Sequence, residues 1–174
     1  AHYPQLTLFS TYSKKLLPVN QEGPIDIYVC GITPYDSTHC GHAATYITFD
    51  LIHRYLRSAG ATVNFIENIT DIDDPLLERA ARDNQAWESL ATSQIDLFRT
   101  DMAALRVLPP HHYQGVVESM SIIIELVQKH IDSGLTYALE GDIYLDLTKV
   151  DGALSALPFP LEQALHIFRE RGGD

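Results

Sequence analysis

The sequence predicts an α/β fold, a parallel-sheet core joined to a helical inserted or connective region. Three observations predict it. A strand, a loop, a helix and a second strand follow one another between Ile25 and Ile66, the order of a βαβ unit, whose strands pair in parallel through a right-handed crossover. Beyond Asp74 the apolar residues recur at helical spacing instead. The 174 residues are 45% hydrophobic and 20% charged, which suits one compact domain, or a domain carrying an inserted subdomain, and not a disordered chain.

Each element has its own signal. Ile25 to Cys30 is a short apolar run of β-forming residues that Gly31 ends, a buried strand. From Gly41 to Ala59, the residues Tyr46, Phe49, Ile52 and Leu56 repeat at helical spacing, and Gly60 supplies the stop. Thr62 to Ile66 reads as the second strand. A helix follows, with Asp74 as N-cap, Pro75 at its first position and Leu76 to Arg82 behind. The next runs from about Trp87 to Leu105, with Ile95, Phe98, Met102 and Leu105 on one face. The longest stripe, Tyr113, Val116, Val117, Met120, Ile123, Ile124, Val127 and Ile131, predicts a third helix closed by Gly134. Tyr137 to Leu139 and Asp142 to Leu147 predict a hairpin across Glu140-Gly141, and a short helix from Leu161 to Arg171 reaches the end. Packing is the ordinary reason for every one of these stripes, so each is expected to bury its face.

Composition narrows the function classes. No apolar run approaches the roughly 18 to 20 residues that span a bilayer, and Ala1 to Ser10 lacks a basic stretch followed by an apolar one. A cytoplasmic protein without membrane contact is expected. Twelve basic against 23 acidic residues give a net charge of -11, so no global positive field exists to hold a nucleic-acid backbone, and a small-molecule substrate is favoured. The two cysteines, Cys30 and Cys40, form neither a CxxC nor a multi-bridge pattern. They suit a reducing compartment and a metal or catalytic role for at least one thiol.

The chemistry concentrates in the loop after the first strand, which runs from Gly31-Ile32-Thr33-Pro34 through Asp36 to His39-Cys40-Gly41-His42. It lies at the carboxyl end of a parallel strand, where open α/β sheets bind ligands, and it opens onto a helix amino terminus whose free N–H groups favour a phosphate. His39 and His42, three apart, project from one side of the first turn and could donate hydrogen bonds to a phosphate whose charge grows during displacement. Gly41 between them removes a side chain that would block a base or ribose. Each histidine alone reads equally as a cap or surface residue, and a zinc site on the pair lacks a third ligand nearby. The strand-to-helix context favours the nucleotide.

Cys30 ends the first strand beside this loop, either as a small buried hydrophobe or as a zinc ligand at the site's edge. A thiolate-rich zinc with an open position would bind a substrate thiolate directly and so separate cysteine from serine, where size alone gives only about 1 to 3 kcal/mol. Cys40 reads as packing. Asn68-Ile69-Thr70-Asp71-Ile72-Asp73-Asp74 follows the second strand and returns to the same edge of the sheet, where Asn68 and Thr70 could bind polar groups of a substrate. Its three carboxylates also suggest magnesium, but capping and dipole matching explain Asp73 and Asp74 at least as well.

Several adjoining motifs then agree in order: Tyr28 to Asp36 (YVCGITPYD), His39 to Tyr46 (HCGHAATY), Asn68 to Asp74 (NITDIDD) and Pro75 to Ala80 (PLLERA). Together they resemble the class I cysteine-activating enzymes, the family of cysteinyl-tRNA synthetase. The choices Ile32-Thr33-Pro34, Ala44 and Pro75-Leu76-Leu77, with Met102 to Pro110 (MAALRVLPP) and the ending Glu170 to Asp174, resemble the branch whose acceptor is an amino sugar. The resemblance implies a Rossmann-like, HIGH-type nucleotidyltransferase. Residues 1–85 would be the first part of its ATP- and cysteine-binding catalytic domain, and residues 86–174 a helical and hairpin connective region.

By the same resemblance, ATP with Mg2+ activates L-cysteine to cysteinyl-adenylate, and the cysteinyl group passes to the amine of glucosaminyl-inositol. His39 and His42 are its catalytic pair, and with Gly41 and Thr45 they hold the nucleotide. Cys30 is a Zn2+ ligand. Gly31, Ile32, Thr33, Thr45, Asn68, Ile69 and Thr70 meet the cysteinyl-adenylate together with Cys30. Cys40 stands where the family has Ile or Leu. No KMSKS-like lysine loop occurs, and the family's other zinc ligands lie beyond the matching region. An amino-terminal portion of a longer, monomeric enzyme is expected, inactive by itself. Cysteinyl-tRNA synthetase is the alternative within enzymes, with tRNA as acceptor. A non-catalytic nucleotide-binding paralogue is the alternative outside them, against which the intact His39, Gly41, His42, Cys30 and Thr70 speak.

Overall fold

The computed structural model describes residues 3–154 and 159–170. Arg171, expected at a helix end, and Gly172 to Asp174 of the closing motif lie outside the described residues. In chain order the elements are β1 (Thr7–Ser10), β2 (Lys15–Pro18), β3 (Pro24–Val29), α1 (Cys40–Ser58), β4 (Thr62–Ile69), α2 (Asp74–Arg82), α3 (Trp87–Ala104), β5 (His112–Gly115), α4 (Val116–Asp132), β6 (Thr136–Leu139), β7 (Asp142–Leu145), a 3-10 turn (Leu147–Lys149) and α5 (Leu161–Glu170). The chain divides into two compact units, Asn20–Met120 with the residues up to Gln5, and Leu6–Val19 with Ser121 onward. No described helix is long and apolar enough to cross a membrane.

The first unit is built on β4. It pairs in parallel with β3 on one side, Ile25 with Val63 through Val29 with Glu67, and with β5 on the other. The βαβ unit read from the sequence is therefore present, and its second strand runs three residues further, to Ile69. Strict alternation along β4 buries Val63, Phe65, Glu67 and Ile69 on one face and leaves Asn64, Ile66 and Asn68 half-buried on the other. Phe65 joins Val29, Tyr46 of α1 and Phe98 and Met102 of α3 in the main core. A second cluster, Leu76 and Ala80 of α2 with Leu90 and Ala91 of α3, packs against Trp87. α1 grips the loop that leads to β5: Asp50 Oδ1 accepts from the Leu108 N–H at 2.9 Å, and Arg54 donates to the Arg106 carbonyl at 2.6 Å.

Three expectations from the sequence are corrected here. Asp73, not Asp74, caps α2, its carboxylate accepting from the Asp74 N–H at 3.0 Å. Tyr113 belongs to a strand and not to the third helix, because Pro109-Pro110 delay helix formation and residues 112–115 can satisfy their backbone along the free edge of β4. The helix then starts at Val116. It fully buries none of its residues: of the expected stripe Val117, Ile124 and Val127 are exposed and Val116, Met120, Ile123 and Ile131 half-buried. An amphipathic stripe states which face prefers burial and does not supply the partner.

The second unit holds two antiparallel hairpins, β1 with β2 and β6 with β7. The latter matches the hairpin expected across Glu140-Gly141, with Tyr137 and Tyr144 stacked across it at 5.4 Å. The β1–β2 hairpin has no strong sequence signal. Its turn is closed by Ser10, which takes the Lys14 N–H on its carbonyl and the Ser13 N–H on its hydroxyl.

Two titratable side chains are buried in the first unit with little to compensate them. His53 is 1% exposed, lies flat on Phe65 at 5.1 Å, and has no hydrogen-bond partner at either ring nitrogen. Burial pushes its pKa down, so its contribution is present above the ordinary imidazole pKa near 6.5 and is lost as pH falls. Glu67, 3% exposed, behaves oppositely: burial pushes its pKa from 4.5 up to about 7. Its stability contribution is intact below 4.5 and declines as pH rises through 7. We expect Glu67→Gln to match the wild type near pH 4.5 and to exceed it by up to about 3 kcal/mol at pH 8. Urea unfolding midpoints at the two pH values read this directly, and parallel pH dependences would contradict it.

Candidate active site

Because β3 and β4 are parallel, both carboxyl ends reach one edge of the sheet, and residues 30–33 meet residues 68–70 there. Two side-chain and backbone contacts join them. The Gly31 N–H donates to Asn68 Oδ1 at 2.7 Å, and the Thr70 N–H donates to the Ile32 carbonyl at 2.9 Å. The approach is so close that a Cβ on Gly31 would lie 1.5 Å from the Asn68 carbonyl oxygen, and only glycine allows it. Asn68 Oδ1 also accepts from the Tyr28 hydroxyl at 2.9 Å, and its amide nitrogen lies 3.4 Å from Thr70 Oγ1. Asn68 thus serves its own scaffold with its oxygen and leaves mainly its N–H2 for a ligand. Ile32 and Ile69 are buried, so each can offer a ligand only backbone.

At the start of α1, His39 is the N-cap in extended conformation. Its Nδ1 accepts from the Gly41 N–H at 3.0 Å, while the His39 N–H donates to His42 Nδ1 at 3.3 Å. This is a capping box made of two imidazoles, which satisfies helix donors that would otherwise be free. The rings stack at 4.0 Å with 24° between planes. Since both Nδ1 atoms accept, the neutral rings carry their protons on Nε2, and each keeps one N–H donor for a ligand. Burial, and then the neighbouring His39, push the His42 pKa down. Gly41 has a further reason to be glycine: a Cβ there would stand 2.8 Å from the His39 ring and displace the cap. Thr45, one turn on, gives its hydroxyl to the Gly41 carbonyl at 3.1 Å.

Sequence reasoning missed contacts between residues far apart in the chain. Arg79 of α2 reaches back to the loop, 3.4 Å from Asp36 and 3.5 Å from the Tyr35 carbonyl. The Ser37 N–H and then Arg79 hold the Asp36 carboxyl below its usual range. Asp71, read as a possible magnesium ligand, accepts from the Val117 N–H at 3.0 Å and caps α4. Tyr46 was legible only as a core residue, yet its hydroxyl donates to the Cys30 carbonyl at 3.1 Å.

Both thiols are exposed. For Cys40 this corrects the packing expectation, because the first helical position faces solvent. For Cys30 it removes the buried-hydrophobe reading. Among the described residues no group of three or more His, Cys, Asp or Glu side chains comes together to hold a metal ion. The described residues therefore do not by themselves fit a zinc centre.

One family model covers most of the chain. The model of tRNA synthetases class I (C) catalytic domain matches residues 16–159. The chain belongs to this family. Relatives include "L-cysteine:1D-myo-inositol 2-amino-2-deoxy-alpha-D-glucopyranoside ligase 2" of Corynebacterium jeikeium, 53% identical over 98% of the chain and 42% of that protein. The ligase of the same name from Nocardia farcinica is 49% identical, over 98% of the chain and 42% of its own length. The chain thus spans about two fifths of the length of these curated relatives. Among solved structures, Mycobacterium tuberculosis methionyl-tRNA synthetase in complex with methionyl-adenylate superposes with a TM-score of 0.61 at 23% identity, covering 67% of this chain and 23% of that one. That likeness shows the class I synthetase fold, a mixed α/β domain on a parallel sheet.

Gly31 gives this edge of the synthetase-family domain a sharp test. Gly31→Ala must push β4 away or rotate the 30–33 backbone, a loss of about 2 kcal/mol or more. Cys30→Ala, next door but exposed, should cost under about 0.5 kcal/mol. Thermal unfolding of both variants compares them, and equal stabilities would show that the close approach is not needed.

Proposed function

We propose that this chain is the nucleotide- and cysteine-binding part of an ATP-dependent ligase that joins L-cysteine to the amine of glucosaminyl-inositol. The two-imidazole capping box at the start of α1 carries the reading. In it, His39 and His42 each retain one Nε2–H donor beside the positive end of a 19-residue helix. Relatives at 47–53% identity that bear the ligase name support the substrate assignment.

In this mechanism the cysteine carboxylate attacks the α-phosphorus of Mg2+-bound ATP, and pyrophosphate departs with the electron pair of the broken P–O bond. Negative charge grows on the phosphoryl oxygens during displacement, and the Nε2–H groups oppose it without reorganising, because their rings are already fixed by Nδ1. In this reading the adenylate lies against Gly31, Thr33, Thr45 and the Asn68 to Thr70 stretch, at the carboxyl ends of β3 and β4. The acceptor amine then attacks the cysteinyl carbonyl, AMP leaves and an amide forms. The exposed Cys30 thiol lies at the end of β3, where it would help to select a thiol-bearing substrate over serine.

Removing either imidazole should slow adenylate formation more than it weakens ATP binding, because growing charge is what the pair opposes. His39→Ala and His42→Ala in the full-length enzyme are each expected to cost about 3 kcal/mol in the single-turnover rate, roughly 10²-fold. An unchanged rate with only weaker ATP binding would make the pair a ground-state clamp.

The acceptor separates the two enzyme readings. Full-length enzyme, labelled cysteine, ATP and magnesium, offered glucosaminyl-inositol or tRNA, should yield cysteinyl-glucosaminyl-inositol by mass. Across these 174 residues a net charge of -11 offers a tRNA backbone no overall positive field. Cysteinyl-tRNA as the only product would overturn the ligase and leave the synthetase reading.

A further inference from the structure

The peptide joining Cys30 to Gly31 lies just past the last β3–β4 ladder pair, Val29 with Glu67. Strand pairing does not fix it; two side chains do. Its N–H, on Gly31, donates to Asn68 Oδ1 at 2.7 Å. Its carbonyl, on Cys30, accepts from the Tyr46 hydroxyl at 3.1 Å. One peptide plane is thus held at both polar ends, by Asn68 from β4 and by Tyr46 from α1.

Tyr46 is built to hold its end firmly. It is 3% exposed, and its ring meets Phe98 edge-to-face at 4.9 Å and 69°, a packing that leaves its ring direction little freedom. It stands one turn beyond His42 on the same helix, four residues on. The helix that presents the two imidazoles is therefore bonded through this hydroxyl to the strand end that presents the Cys30 thiol.

We propose that Tyr46 is a positioning residue for the cysteine substrate: its O–H sets the Cys30–Gly31 peptide, and with it the direction of the Cys30 side chain relative to the start of α1. This rests on the ligase reading above. The hydrogen bonds that fix His39 and His42 are local to residues 39–42 and do not involve Tyr46. Loss of the hydroxyl therefore acts on the cysteine side of the site and leaves the ATP side in place.

The test uses the full-length enzyme with Tyr46→Phe, which keeps the ring and deletes only the hydroxyl, and Phe98→Leu, which loosens the packing and keeps the hydroxyl. Cysteine-dependent ATP–pyrophosphate exchange should show the KM for cysteine raised roughly threefold to tenfold in Tyr46→Phe, the worth of one hydrogen bond. The KM for ATP should stay within about twofold, and preference for cysteine over serine should fall. Phe98→Leu should lower the melting temperature and raise the KM for cysteine less than Tyr46→Phe does, because the hydroxyl remains. In parallel, deuterium uptake at the Gly31 amide should quicken in Tyr46→Phe while uptake across residues 42–50 does not. An unchanged KM for cysteine, or equal rises for cysteine and ATP, overturns the proposal. A wild type with no cysteine-dependent activity defeats the ligase reading instead, and deuterium uptake then judges the peptide clamp by itself, unchanged uptake overturning it.

Discussion

The site depends on the parallel pairing of β3 with β4 and on the backbone contact that closes it, Gly31 against the Asn68 carbonyl. Parallel pairing sends both strands out of the sheet at the same edge, so two loops 37 residues apart in the chain share one surface. It brings the start of the 30–33 loop and the Asn68 to Thr70 stretch to one sheet edge. The hydrogen bonds across this edge come from the Gly31 and Thr70 N–H groups and from the exposed Tyr28 hydroxyl, and the two backbone donors lie beyond the ladder that would otherwise pair them.

The His39–His42 pair is self-contained in a way the rest is not. His39 and His42 cap their own helix, so the interaction that starts α1 also fixes the tautomer of both rings. Folding and preorganisation are here one event, and no distant element is required to aim the donors. The Cys30 end is different. Its orientation comes from a helix residue and a strand residue distant in sequence, so it depends on the core between α1, β4 and α3 being intact.

Buried polarity has a cost in the same core. Asp50 is compensated by the Leu108 N–H and by Arg54, and it holds the approach to β5. His53 and Glu67 have no comparable partners, and their opposite pKa shifts make the unit's stability depend on pH from both sides. A core that retains such groups gives up stability that apolar side chains would supply.

The sequence by itself determined the elements whose signals are local. The apolar stripe Tyr46 to Leu56 with Gly60 behind it, the β-forming runs at 25–30 and 62–66, Pro75 at a helix start and the Glu140-Gly141 turn each act within a few residues, so they are written in order along the chain. The histidine pair was legible for the same reason. Tertiary structure alone decided that His112–Gly115 would be a strand, because the free edge of β4 outweighs helical spacing there. It also decided that Cys40 faces solvent, that Asp71 caps α4, and that Tyr46 reaches Cys30. Those outcomes depend on which distant group offers a hydrogen bond, a quantity that no local spacing contains.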